Sequence, residues 1–413
     1  MRTQMIKNVS NIRKVVVGIA VAAFSLSACT AGGASHPSSG SDKGDKKVAT
    51  VKAVASTTQI CDYISQLASG SKGTGLVFRR TGPDGKTETV GDKAGTPAAE
   101  LDLTCLLAPN ASAHEHDMSA QQAKALAEAD LFFVSGVDLE HFLDGAVAST
   151  GFKGTMVVTS GVLTAGDIDN LDAQVQKEKA LSYRVERGKE KVAVEKWPFP
   201  PESGEKEPEF RYDPHVWTAP RNAIVQVKNI GAALESASGL DEKTAAIFKD
   251  HVSTYVKQLE DLDQWAKKSF DSVPPADRVL FTSHDAFGYL SKEFGIKFEG
   301  AALSDFNSQQ DATAQKIQET VDKVKASHAK AIFAENSNNP QSVQKVAQLA
   351  GVRAVIGDEA LYGDSLGEPG SDGATYIGSI LHNVTQLVKA WGGAPAAIPA
   401  QLQAWAPRAE QVK

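Results

Sequence analysis

Basic side chains are in the minority, 43 Lys and Arg against 50 Asp and Glu, and the 413-residue chain carries a formal charge of −7. Nucleic acid is held by a basic face that releases counterions from phosphates, so this balance argues against a nucleic-acid partner. Long apolar runs are lacking too: past the N-terminus nothing approaches the roughly 20 residues that a membrane-spanning helix needs. A Gly-rich phosphate loop, a Gly-x-Ser-x-Gly elbow and a His-Glu-x-x-His helix are also missing, and with them the local signatures of nucleotide binding, serine hydrolysis and zinc proteolysis. The chain is 42% hydrophobic and 23% charged, which is the balance of a globular protein rather than a disordered one. Its length suits two domains, each with a core of its own.

The N-terminus reads as an address. Arg2, Lys7, Arg13 and Lys14 supply every charge of the first 28 residues, an apolar run follows at 15–24, and then comes Leu26-Ser27-Ala28-Cys29. A basic start, a short apolar run and a small-residue cleavage site describe a secretory signal over residues 1–28, too short to cross a bilayer. The ending resembles that of a bacterial lipoprotein signal, which implies that Cys29 becomes the lipidated first residue and anchors the chain to the membrane. Residues 29–46, rich in Gly, Ser, Lys and Asp, read as a flexible tether. Of the three cysteines, Cys61 and Cys105 then remain, a candidate disulfide in an oxidising, extracytoplasmic compartment.

From residue 47 apolar runs alternate with helical spacing. Strands are expected near 47–56, 101–107, 131–134 and 155–158 in the first half, and near 279–281, 331–334 and 353–356 in the second. Strands alternating with helices predict an α/β fold of two parallel-sheet lobes, at 47–238 and 273–393. Between them Phe248, Val252, Tyr255, Leu259, Leu262 and Ala266 step by three and four, one stripe of a rigid linking helix within 239–272. Its pattern spans residues 241–271, about 46 Å. A coiled-coil dimer seam is the alternative for this stripe; otherwise the chain is expected to be a monomer. Two stretches look inserted, at about 71–99 and 172–211. The first contains a hairpin around Thr81-Gly82-Pro83-Asp84-Gly85. The second holds nine Lys/Arg and eight Glu in the 36 positions 176–211 and is expected to be a mobile surface loop. Residues 394–413 read as a Pro/Ala-rich tail.

Certain histidines stand where parallel sheets place ligands, beyond the carboxyl ends of strands. His114 follows the strand at 101–107, His284 follows the strand at 279–281, and His215 opens a helix; Asp364 lies in a Gly-rich loop after the strand ending at 356. Three imidazoles and a carboxylate would make a closed tetrahedral set for a divalent transition metal, with Zn²⁺ first. The spacings carry no local signature of their own. Asp285 and Glu335, which also follow strands, are candidates for carboxylates that orient these imidazoles.

The segments Pro109-Asn110-Ala111-Ser112-Ala113-His114, Asp213-Pro214-His215-Val216-Trp217, Thr282-Ser283-His284-Asp285-Ala286-Phe287 and Asp364-Ser365-Leu366-Gly367 resemble, in order, four signatures of one family. That family is the solute-binding lipoproteins of bacterial zinc and manganese ABC transporters. The resemblance implies two α/β lobes joined by one long helix, a metal between them held by His114, His215, His284 and Asp364, and an ABC permease as partner. The first segment departs from the family's pattern: Asn110, Ser112 and Ala113 precede His114, and His116 occupies an aromatic position, as an alternative or additional ligand. Imidazole at His284, where manganese-selecting relatives tend to carry a carboxylate, favours Zn²⁺ over Mn²⁺. The 172–211 stretch lies where many zinc-specific members carry a histidine-rich loop, yet 176–211 has no histidine. The implied role is capture of Zn²⁺ outside the membrane and delivery for uptake. A surface adhesin with a structural metal is one alternative, and a zinc hydrolase using Glu115 as base is another.

Overall fold

A computed structural model of the chain describes residues 48–408, apart from 70–73, 92–96, 115, 141, 202–205, 209, 239 and 302–313. The expected signal, the tether, Cys29 and Glu115 lie outside the described residues. The first strand, β1 (Ala49–Ala55), leads into helix α1 (Thr58–Ser69). A hairpin of β2 (Leu76–Thr81) and β3 (Thr87–Gly91) precedes β4 (Ala99–Cys105), then come α2 (Ala120–Ala127), β5 (Leu131–Val134), α3 (Leu143–Thr150), β6 (Thr155–Val158), α4 (Ala165–Glu178) and β7 (Arg184–Glu186). These strands form a seven-stranded sheet in the order β3-β2-β4-β1-β5-β6-β7, parallel throughout except for the β2–β3 hairpin.

The first insertion thus widens the sheet instead of decorating it. β4 alternates along its length: Ala99, Leu101, Leu103 and Cys105 are buried, while Glu100, Asp102 and Thr104 are half-exposed. On the half-exposed face Arg79 of β2 pairs with Glu100 (2.7 Å) and Asp102 (3.1 Å). Such pairs at a sheet surface add little energy, but they favour this register over a slip of one residue.

Helix α5 (Pro220–Glu235) returns along this sheet, where Gln226 donates to Thr159 Oγ1 and Asn229 to Thr159 O. The linking element is α6 (Glu242–Phe270), 29 residues or about 44 Å. Asp241 caps its start by accepting from Thr244 N–H at 2.8 Å, and Lys267 and Lys268 complement the dipole at its end. Phe248, Tyr255, Leu259, Leu262 and Ala266 of the sequence stripe are buried, and α6 packs against α1 and α5. The stripe is therefore spent inside the chain, which removes the reason for a coiled-coil dimer.

The second sheet follows: β8 (Val279–Thr282), α7 (Gly288–Phe294), β9 (Lys297–Ala301), α8 (Ala314–Ala326), β10 (Ala331–Phe333), α9 (Gln341–Ala350), β11 (Arg353–Val355) and α10 (Tyr376–Ala390). Its four strands are parallel, in the order β11-β10-β8-β9. Helix α10 packs on α6, and the Pro/Ala-rich tail does so too, with Trp265 Nε1–H donating to Ala396 O at 2.9 Å.

Within 176–211, expected to be a mobile surface loop, several described residues are tied to the body of the fold. β7 pairs with β6, Val192 and Phe210 are buried, and Arg187 makes ion pairs with Asp167 (2.7 Å) and Glu178. Arg187 and Arg211 find carboxylates on α4, Glu190 finds Lys228 of α5, and Val192 and Phe210 join the buried residues.

Cys61 in α1 and Cys105 at the end of β4 are joined by a disulfide, with 5.7 Å between their Cα atoms. A link across 44 residues limits the unfolded chain and contributes about 4 kcal/mol in the chain-entropy model. The double variant Cys61→Ala/Cys105→Ala should lower the unfolding free energy by about 2–4 kcal/mol in denaturant titration. The same loss should follow reductant with the native chain; equal stability of all forms would contradict it.

Candidate metal centre

Both sheets point their carboxyl ends at one place. His114 lies nine residues past β4, and His284 two past β8. His215 precedes a short 3-10 turn, Val216–Thr218, that runs into α5; Asp364 sits in the loop between β11 and α10. Their donor atoms converge within 4.8 Å of one another. His215 Nε2 is 3.0 Å from His114 Nε2 and 3.2 Å from His284 Nε2. Asp364 Oδ1 is 3.0 Å from His284 Nε2, 3.6 Å from His114 Nε2 and 3.7 Å from His215 Nε2. A tetrahedron with metal–ligand bonds of about 2.0 Å has edges of about 3.3 Å, and these five separations bracket it. All four residues are buried, from 0% exposure for His215 to 7% for His114.

Burial disfavours charge on His284, whose pKa falls to about 3 despite the nearby Asp364. For Asp364 burial acts upward, but the imidazoles of His284 and His114 hold it well below the usual carboxylate range. The set is thus suited to presenting neutral nitrogen and anionic oxygen to a cation.

A carboxylate that orients an imidazole is Asp213, a residue that sequence reasoning passed over. Its Oδ1 is 2.8 Å from His215 Nδ1 and accepts from His215 N–H at 3.0 Å. A Nδ1–H donated to Asp213 leaves Nε2 with its lone pair free for metal. The signal was the i, i+2 spacing inside Asp213-Pro214-His215. Glycine at 288 is required here, because a Cβ would stand 2.2 Å from Asp213 Oδ2. Of the two carboxylates expected in this role, Asp285 is half-buried beside Gly300. Glu335 is buried against the Gly363 backbone, where a Cβ would meet its Oε2 at 1.8 Å. Burial and the charge of Asp364 push the Glu335 carboxyl well above the ordinary range. His116 is half-buried and meets Phe142 edge-to-face, with ring centroids 5.4 Å apart, outside the convergent group.

The Asp364 loop is fastened from the opposite sheet. Gln59 Nε2–H donates to Asp364 O (3.1 Å), Trp217 Nε1–H to Gly363 O (2.9 Å), and Leu366 N–H to Thr58 Oγ1 (2.8 Å). Ser112 Oγ–H donates to Asp364 Oδ2 at 3.0 Å, which leaves Oδ1 to face the imidazoles.

A model of the family described as "Zinc-uptake complex component A periplasmic" matches residues 90–390, well over half of the chain. The chain belongs to this family. Among its relatives, the manganese-binding lipoprotein MntA of Bacillus subtilis is 28% identical over 291 residues, covering 70% of this chain and 82% of that one. The zinc-binding protein TroA of Treponema pallidum is 32% identical over 185 residues, covering 44% of this chain and 58% of that protein. The solved structure of the periplasmic zinc-binding protein TroA matches with a TM-score of 0.58 at 22% identity, covering 83% of this chain and 99% of that one. The two-lobed α/β architecture is therefore shared. As a member of the zinc-uptake family this chain is the metal-binding component of an ABC transporter and not an enzyme, and a permease is its implied partner.

Two outcomes are expected. Asp213→Asn keeps an acceptor for His215 but removes the charge, and should weaken metal binding by about tenfold in chelator competition. For the metal-free protein, the unfolded chain protonates His284 near its ordinary value of 6.5, and the folded chain only at about 3. Between these values the unfolded state holds more protons, so stability is present above pH 6.5 and is lost as pH falls toward 3. Urea titrations at pH 7 and 4.5 should show this loss, and His284→Asn should reduce it; equal pH slopes in both proteins would contradict it.

Proposed function

We propose that the chain captures Zn²⁺ outside the membrane through His114, His215, His284 and Asp364, and hands it to the permease of an ABC transporter. One observation carries this: four buried donors from both halves of the chain converge within 4.8 Å, five of their six separations being 3.0–3.7 Å, and three of them are imidazole nitrogen. Relatives bearing manganese and zinc names are both found, so the choice of cation rests on the donors. Mn²⁺ suits oxygen-rich, six-coordinate sites, whereas three imidazoles and one carboxylate suit Zn²⁺. Four protein ligands also fill a tetrahedron and leave no place for the activated water of a zinc hydrolase.

The anchor in this reading is lipid at Cys29. In its support, relatives such as MntA are named lipoproteins, and among the described residues no helix is long and apolar enough to cross a membrane. The folded body acts as a monomer of two lobes, 47–238 and 273–393, with 239–272 as a stiff link. Release then follows a local change in the loop that carries Asp364 more readily than a wide bend at the link. No observation favours a surface adhesin.

The test is metal content by elemental mass spectrometry after stripping with chelator and dialysis against equal Zn²⁺ and Mn²⁺. The native chain should retain one Zn²⁺, and His284→Ala should lose it or bind at least about 100-fold more weakly. Preferential retention of Mn²⁺, or stoichiometric Zn²⁺ in His284→Ala, would overturn the proposal.

A further inference from the structure

The charged insertion also builds a wall for the metal centre. Lys196 and Tyr212 pair in an antiparallel bridge, with Trp197 N–H donating to Arg211 O at 3.2 Å and Asp213 N–H to Glu195 O at 3.0 Å. This stem sets two aromatic rings over the imidazoles. The Phe210 ring lies 5.4 Å from that of His114 and 6.3 Å from that of His215; Trp197 lies 6.1 Å from His215 and 5.2 Å from Phe210. The wall is fixed to the second sheet as well. Phe199 meets Phe298 of β9 edge-to-face, with centroids 5.3 Å apart, and lies so close to Gly300 that a Cβ there would meet its ring at 2.9 Å. Phe210 is 4% exposed and offers the site nothing but carbon.

Resting on the metal-site assignment above, we propose that Phe210 and Trp197 fix the coordination number of the bound cation, and through it the selectivity, by denying water a further ligand position. Zn²⁺ is satisfied by four ligands, whereas Mn²⁺ favours an octahedron rich in oxygen. A donor set closed off by apolar rings therefore penalises the cation that must keep its water, since the apolar shell around a metal controls solvent access. Neither ring is a ligand. Both are specificity-determining residues that act by exclusion, and their position in a segment of Lys and Glu is what gives a highly charged stretch a role at a buried site.

Co²⁺ reports the coordination number directly, because its visible d–d bands are intense in a four-coordinate site and weak in a five- or six-coordinate one. The native chain loaded with one Co²⁺ should show the intense bands. Phe210→Ala should lose most of that intensity and shift the ratio of Mn²⁺ to Zn²⁺ affinity by about tenfold toward Mn²⁺. Phe210→Leu, which restores apolar cover, should recover both, and thermal melts of the metal-free variants show that each is folded. Trp197→Ala, a change at a half-exposed position, repeats the test where loss of packing is smaller. Weak bands in the native protein, or an unchanged spectrum and affinity ratio in folded Phe210→Ala and Trp197→Ala, would overturn this inference and leave the metal site standing. Failure of the native chain to bind a single Co²⁺ or Zn²⁺ would overturn both.

Discussion

Everything in this fold is subordinate to holding four electron-pair donors against one another out of water. Imidazole nitrogens stand 3.0 and 3.2 Å apart, with a carboxylate oxygen 3.0 Å from one of them, so electron-rich atoms crowd one small volume. Burial withholds water as a substitute, and buried polar groups without full satisfaction are destabilising. A divalent cation would satisfy all four at once. The rest of the chain must therefore hold the arrangement in place by interactions that are already complete, so that binding need not supply the ordering.

Those interactions lie one layer out. Asp213 takes the Nδ1 side of His215, Ser112 takes the second oxygen of Asp364, and Gln59, Thr58 and Trp217 hold the Asp364 loop by its backbone. A further tie crosses at the start of α10, where Tyr376 N–H donates to Asp62 of α1 at 2.8 Å. Burial pushes the Asp62 carboxyl up to about 6, the mark of a charge placed in the interior for position rather than for stability. Beneath this layer α6 is buried along one stripe and packs against helices from both halves of the chain.

Much of this was legible in the sequence where a physical period was sustained. Residues 131–134 and 155–158 coincide with β5 and β6, because short runs of three or four apolar residues between turn formers have little other use in a parallel sheet. The α6 stripe was legible for the same reason, over 29 residues. β7 was not: Arg184-Val185-Glu186 is a three-residue edge strand whose pairing comes from β6, not from its own composition. β9, with Gly300 inside it and a register irregularity in its pairing with β8, offered no alternation to read. The four convergent side chains were suggested by their places after strands and before a helix and singled out by motif resemblance, since spacings of this length carry no geometry. Asp213 was overlooked although its signal was local, and Trp197, Phe199 and Phe210 were hidden by averaging them with their charged neighbours.

The fastening of Asp364 constrains how a bound cation leaves. Its loop follows the second sheet, yet the groups that grip it, Gln59 and Thr58 of α1, Trp217 in the turn before α5 and Ser112 after β4, all come from the first half of the chain. Asp364 cannot retreat from the imidazoles without breaking these bonds, and the lobes cannot part without breaking the same ones. Each bond is worth only about 1 kcal/mol net, so the set is strong enough to hold the ligand in place and weak enough for a partner to undo. Displacing the loop is thus a rupture local to the mouth of the site, with no bend of the link required. A stiff α6 does not prevent it, because the rupture lies at the mouth of the site and not along the helix.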